Sequence, residues 1–147
     1  MIRTIIVEDE LQNRELLELM LKKHRDIIEV IDSCNTPVKG IESIQKYSPD
    51  LVFLDIEMPR MNGFEMLKKL EPVRFEVIFT TAYNKYAIDA IKMSALDYLL
   101  KPIDAEELNI AIKKCRQSLL NKAGNEKMDI LLRNLNQHHA LEKTLTL

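Results

Sequence analysis

Residues 51–67 read LVFLDIEMPRMNGFEML. The first four are apolar without interruption, which describes a strand covered on both faces, because a strand with one wet face alternates polar and apolar side chains. The run stops at Asp55, a carboxylate delivered where a buried strand ends. Asn62-Gly63 is a turn signal, and residues 64–70 after it carry a helical pattern. Strand, carboxylate, turn and helix in that order make up one half of a βαβ unit.

Working outward, four more runs have the same continuous apolar character: residues 4–7, 28–32, 76–80 and 97–100. Helical patterns separate them. Residues 11–24 place Leu16, Leu17, Met20 and Leu21 on neighbouring turns. Thr36 followed by Pro37 reads as an N-cap with proline at the first helical position. Asp104 with Glu107 three residues later has the spacing of a capping box. It opens a helix with Leu108, Ala111, Ile112, Cys115 and Leu119 on one face. Strands alternating with helices predict a parallel sheet. Five such units suit an open, doubly wound α/β sheet better than a barrel, and such sheets bind ligands at the carboxyl ends of their strands.

Four of the five strands deliver polar groups to that edge: Glu8-Asp9 after the first, Asp55 after the third, Thr80-Thr81 at the fourth, and Lys101-Pro102 after the fifth. The second ends in Ser33-Cys34, which adds nothing obvious. Taken singly, Asp9 reads as a helix cap, Asp55 as the start of a loop and Lys101 as a solvated strand end. Their convergence on one edge outweighs those separate readings. Carboxylates gathered at one place repel, and a hard divalent cation with oxygen ligands, Mg²⁺, relieves the repulsion. One such carboxylate can act as a nucleophile and become an aspartyl phosphate. Positive charge and donors are then needed around the moving phosphoryl oxygens, and Lys101 and the Thr81 hydroxyl supply them.

The bulk composition excludes several classes. The 147 residues fit one domain with a tail, and 21 basic against 23 acidic residues give a net charge of −2, no basis for bulk binding of nucleic acid. Cys34 and Cys115 lack metal-type spacing and read as small buried hydrophobes, and a disulfide framework is not expected. The first residues, MIRTIIVEDE, hold too short an apolar run for a signal peptide, and no stretch reaches the length of a membrane span. The expected location is cytoplasmic. His24 sits where the negative end of the first helix explains it, and His138-His139 lacks a third ligand and reads as a solvated pair.

Glu8-Asp9, Asp55 followed by Met58-Pro59 and Gly63, Thr81-Ala82, and Lys101-Pro102 together resemble the bacterial response-regulator receiver family over about residues 1–120. The resemblance implies the flavodoxin-like strand order 2-1-3-4-5 with five helices. It implies Asp55 as phosphoacceptor from a sensor histidine kinase and Asp9 as a direct Mg²⁺ ligand. Glu8 would act through water, and Glu57 would offer its backbone carbonyl. Thr81 and Lys101 would contact the phosphoryl group, Tyr98 would change rotamer, and Glu57 and Tyr83 would tune hydrolysis. The Lys101-Pro102 bond is expected to be cis. The acidic pair is Glu-Asp where the family has Asp-Asp. A second string, TTAYNKYAIDAIKMSALDYLLKP, is similar to the narrower LytTR-type (LytR/AlgR-like) regulators through Tyr83, Tyr86, Ala87, Ala90 and Asp97-Tyr98-Leu99, with Ile91 where that group often has Phe. This implies a homodimer promoted by phosphorylation, with DNA bound only through a domain missing from this chain. Tyr86 and Ile88 read equally well as helix packing.

Residues 121–147 are expected to form a linker. Asn121 to Asn125 suggest a break, followed by a helical segment with Met128, Leu131, Leu132 and Leu135. The close, ALEKTLTL, resembles the entry into a LytTR DNA-binding domain. Four basic and three acidic residues from 121 onward give the tail little basis for binding DNA. Three rivals stay open: a phosphohydrolase of haloacid-dehalogenase type, a nucleotide-binding module and an inactive pseudo-receiver. The first wants an Asp two residues beyond its nucleophile, where Glu57 stands. The second wants a glycine-rich loop, and the chain has only Gly40, Gly63 and Gly124.

Overall fold

In the computed structural model, backbone is described for residues 1–145 and side chains for residues 1–137. Every residue of the strand Leu51–Asp55 is buried, as its unbroken apolar run requires. It is β3 in the series β1 (Ile2–Val7), β2 (Ile28–Cys34), β3, β4 (Glu76–Thr81) and β5 (Asp97–Leu100). All adjacent pairs are parallel, in the order β2-β1-β3-β4-β5. The five expected strands are all present, with ends moved by no more than two residues. The helices are α1 (Leu11–Leu21), α2 (Pro37–Tyr47), α3 (Gly63–Lys69), α4 (Ala87–Lys92) and α5 (Ala105–Leu145), with short 3₁₀ turns at Lys22–His24 and Asn84–Tyr86.

The alternation of side chains along each strand sorts the interior into two layers. Ile5 and Val7, Val52 and Leu54, and Val77 and Phe79 pack with Ile44 of α2, Met66 and Leu67 of α3, and Ala90 of α4. The opposite strand face carries Ile2, Thr4, Ile6, Phe53, Ile78 and Leu99, all buried. Buried apolar residues also come from α1 (Leu17, Leu21) and from the first turns of α5 (Leu108, Ala111, Ile112, Cys115). Burial on both faces makes the inner strands β1, β3 and β4 read as continuous, whereas the edge strands β2 and β5 are only partly buried and carry Glu29, Asp32 and Asp97.

The helix starts follow local chemistry. Thr36 accepts a hydrogen bond from the Lys39 amide at 3.1 Å and Pro37 is the first residue of α2. Asp104 accepts from the amides of Glu106 and Glu107 at the head of α5. At α3 the structure goes beyond a turn signal. Asn62 and Glu65 form a reciprocal capping box, so Gly63 is the first helical residue. Lys101-Pro102 is cis, as expected, and so is Glu71-Pro72.

The chain falls into two units, Met1–Cys115 and Arg116–Leu147. The expected break at residues 121–125 is absent, since α5 runs on as one helix. Gly124 costs a helix only about 1 kcal/mol against alanine, and no proline interrupts the segment. The apolar residues after it, Met128, Leu131, Leu132 and Leu135, are all exposed. The side chains of His138 and His139 lie outside the described residues. Among the described residues no helix is long and apolar enough to cross a membrane.

Candidate functional site

Because the sheet is parallel, all five strands finish on one edge, and the register aligns their ends. Val7 stands opposite Cys34 on one side and Leu54 on the other, Asp55 faces Thr80, and Thr81 faces Leu100. One residue beyond those positions come Glu8 and Lys101. The sequence-predicted groups are therefore brought together by hydrogen-bonded neighbours, with no long loop needed to gather them.

Glu8, Asp9 and Asp55 each offer a carboxylate oxygen within 4.8 Å of the others. Glu8 and Asp55 are buried and Asp9 is half-buried. Lys101 Nζ lies 2.5 Å from Glu8 Oε1 and 3.1 Å from Asp55 Oδ1. Glu8 is pinned further by the Glu10 amide, which donates to Oε2 at 3.1 Å, and by Arg14, which donates to its backbone carbonyl at 2.9 Å. Asp9 does not cap α1, whose N-cap is Glu10. Its Oδ1 is buried and has no hydrogen-bond partner among the described residues.

Three carboxylates against one ammonium leave the cluster short of positive charge. Burial pushes the Asp55 carboxyl up to about 9, the neighbouring Asp9 and Glu8 push the same way, and Lys101 only partly opposes them. Burial works against the Lys101 charge, yet the carboxylates of Glu8 and Asp55 prevail and raise its pKa. An orphaned buried carboxylate oxygen beside two more carboxylates is the donor set of a hard divalent cation. Glu8, Asp9 and Asp55 are the side chains that fit one.

Thr81 is fully buried at the end of β4. Its hydroxyl donates to Glu57 Oε1 and accepts from the Tyr83 amide at 3.1 Å. The Tyr98 hydroxyl donates to the Tyr83 carbonyl, and its ring packs against the core layer of α2, α3 and α4. Glu57, Thr81, Tyr83 and Tyr98 thus form a continuous hydrogen-bonded chain leading away from Asp55. The Glu57 side chain as the partner of Thr81 was not foreseen. The signal was available, because a Glu two residues past the end of β3 and a Thr at the end of β4 sit on adjacent strands. Tyr86 packs its ring on Phe64 at 5.9 Å between centroids, which makes it a packing residue. Ile88 and Ile91 are 67% and 76% exposed, so packing does not account for them. Cys34 is buried, and its thiol is raised to about 11 by that burial and by Asp32, so it behaves as a small hydrophobe. Cys115 is buried as well.

A family model described as "Response regulator receiver domain" matches residues 4–113. The chain is similar to an uncharacterized response regulatory protein of Shewanella oneidensis, 42% identical over 126 residues, covering 85% of this chain and 53% of that one. It is also similar to the transcriptional regulatory protein BtsR of Escherichia coli K12, 44% identical over 118 residues, 80% of this chain and 49% of that one. The chain spans about half the length of these relatives. Among solved structures, the receiver domain of AraT from Geobacillus stearothermophilus has a TM-score of 0.75 at 26% identity, covering 83% of this chain and 98% of that one. A DNA-binding response regulator of the LuxR family from Staphylococcus aureus has a TM-score of 0.71 at 30% identity, covering 78% and 98%.

Proposed function

The chain belongs to the two-component response regulator receiver family, and from that premise we propose that it is a Mg²⁺-dependent switch in which Asp55 accepts a phosphoryl group from a sensor histidine kinase. The observation that carries this reading is the placement of Lys101 at 3.1 Å from Asp55 inside a cluster of three carboxylates. A carboxylate oxygen of Asp55 forms the new bond to phosphorus as the bond to the donor's leaving group breaks. Lys101 then exchanges its contacts with Glu8 and Asp55 for the phosphoryl oxygens. When bound, Mg²⁺ neutralises the carboxylates and screens the incoming anionic phosphoryl group. Asp9 would ligate it directly, Glu8 through water and Glu57 through its backbone carbonyl.

The other half of the proposal is the output. Thr81 leaves Glu57 for the phosphoryl group, and Tyr98 loses the arrangement that ties it to the Tyr83 carbonyl. Dimerisation then favours the surface of α4, β5 and the first turns of α5, where Ile88, Ile91 and Leu100 are exposed. Glu57 and Tyr83 set how readily water reaches the adduct. The protein promotes only its own phosphorylation and dephosphorylation and is not an enzyme acting on other molecules. In a longer regulator the output would be a LytTR-type DNA-binding domain joined through residues 121–147, acting in the cytoplasm. The name of the BtsR relatives, transcriptional regulatory proteins, supports a transcriptional output.

Intact-protein mass after incubation with a small phosphodonor tests the reading. One added phosphoryl group that requires Mg²⁺ is expected. Steady phosphate release from phosphate esters would instead make the protein a haloacid-dehalogenase-type phosphohydrolase. A folded, ion-binding protein with neither adduct nor release would be a pseudo-receiver. Thr81→Ala separates the two halves of the proposal: the adduct is expected to persist while phosphorylation-dependent dimerisation, read by light scattering, falls at least severalfold. Dimerisation equal to the unmodified protein's would reject Thr81 as the link.

The raised Asp55 carboxyl gives a pH dependence. The folded state holds this proton up to about 9, whereas an unfolded chain releases it near the ordinary carboxylate value of about 4. The folded state thus binds more protons, and ion-free stability is expected to fall as pH rises between those values. Mg²⁺ requires the ionised form, so its stabilising effect grows over the same window. Melting curves with chelator and with Mg²⁺ at pH 6, 7 and 8.5 check this, and a Mg²⁺ effect constant with pH would contradict it.

A further inference from the structure

A cavity of about 610 Å³ opens beside the acidic cluster, meeting it at Asp9. Its walls are largely apolar, from Pro37, Val38, Pro59 and Met61, with Thr36 marking the amino end of α2. Asp9 and Arg60 are the charged residues in its lining. Arg60 is exposed, its backbone is left-handed at φ 71°, and its guanidinium has no hydrogen-bond or ion-pair partner among the described residues. Asp9, the acid that shares this lining, makes no ion pair with Arg60, and Glu8, Glu57 and Glu65 are engaged by Lys101, Thr81 and the Asn62 amide.

A phosphodonor faces an electrostatic difficulty here. It is an anion, and it must approach Asp55 past a cluster in which carboxylates outnumber ammonium groups. A guanidinium is always charged and presents a planar fork that matches two phosphoryl oxygens. Apolar walls strengthen that attraction by excluding water and leave room for the alkyl part of an acyl phosphate, whose carboxylate departs as the phosphorus–oxygen bond to it breaks. The positive end of the α2 dipole acts in the same direction.

We propose that Arg60 is the donor-specificity residue of this site, holding dianionic acyl phosphates in the cavity beside Asp9 before transfer to Asp55. This deepens the phosphoacceptor reading and rests on it. Arg60 takes no part in bond making. It raises the local concentration of donors in proportion to their charge.

The test compares Arg60→Asn, which tolerates the left-handed backbone, and Arg60→Lys with the unmodified protein. Acetyl phosphate serves as the more highly charged donor and phosphoramidate as the less charged one, at low and high salt. In Arg60→Asn the labelling rate with acetyl phosphate at low salt is expected to fall about fivefold, with a change under about twofold for phosphoramidate. Its salt dependence with acetyl phosphate flattens, since the screened attraction is gone. Arg60→Lys recovers part of the rate, and the hydrolysis rate of the adduct is the same in all three proteins. Equal rates for Arg60→Asn and unmodified protein with acetyl phosphate, or equal losses with both donors, would overturn the inference alone. An unmodified protein that takes no label from either donor would overturn the Asp55 reading and this inference with it.

Discussion

Asp55→Asn is expected to lose the phosphoryl adduct completely and, in the absence of divalent ions, to melt at a higher temperature than the unmodified protein. Loss of the adduct follows from chemistry, because an amide oxygen is too weak a nucleophile to form the acyl phosphate. The gain in stability follows from the cluster's electrostatics. Asp55 is 1% exposed and sits with Glu8 and Asp9 around a single lysine. The neutral amide has the same shape, needs no proton to be neutral in the buried cluster, and can donate to a neighbouring carboxylate. Removing the cost of protonating Asp55 on folding is worth on the order of 1–2 kcal/mol, a rise of roughly 3–8 °C for a domain of this size. Mg²⁺ should then stabilise the variant much less than it stabilises the unmodified protein. Intact mass and paired melting curves check the three effects. An adduct retained on Asp55→Asn would assign the chemistry to another residue, and a variant less stable without ions would refute that protonation cost. Such a trade of stability for function is what a strained, ion-dependent site is expected to show.

The second large effect is structural and falls on the same loop. A Cβ added at Gly63 would lie 2.6 Å from the carbonyl oxygen of Asp55, 3.2 Å from Leu54 Cγ and 3.3 Å from Ile56 Cα. Two of these are backbone atoms of the segment that presents the phosphoacceptor, so they cannot swing aside as a side-chain end would. The Gly63 amide also donates to the Ile56 carbonyl at 2.9 Å, which ties the two segments together. Gly63 has no positive φ. Glycine is required there for space and not for conformational freedom. Gly63→Ala is therefore expected to destabilise the fold by about 2–4 kcal/mol, lowering the melting temperature by roughly 5–15 °C, and to slow labelling of Asp55. Gly124→Ala supplies the contrast. A Cβ there meets nothing within 4 Å, and the substitution should raise helix content by circular dichroism. A Gly63→Ala protein as stable as the original would show that the approach of α3 to β3 is not tight.

The sequence by itself determined the alternation of strands and helices and the edge on which chemistry gathers. Runs such as 51–54 are long enough, and apolar enough, to show that both faces are covered. In a parallel sheet every strand ends on the same side, so Glu8, Asp9, Asp55, Thr81 and Lys101 could be assembled from their position after each run. Local signals served equally well where the bonded partners lie within three residues, as at Thr36-Pro37 and Asp104.

Only the tertiary structure decided which groups pair once assembled. Lys101 could have faced solvent, and instead it bridges Glu8 and Asp55. The Glu57 side chain reaches Thr81 because β3 and β4 are adjacent and in register, a relation that spans 24 residues of chain. Tyr86 packs on Phe64 while Ile88, two positions on and turned to the other side, stays exposed, and which side faces inward is set by the elements packed against it. Gly63 reads as a turn residue until the distance to the Asp55 carbonyl is known. In the same way, residues 121–125 read as a break until α5 is seen to run through them. Propensity and pattern are properties of neighbouring residues, whereas charge pairing, close approach and burial depend on which distant segments fold against them.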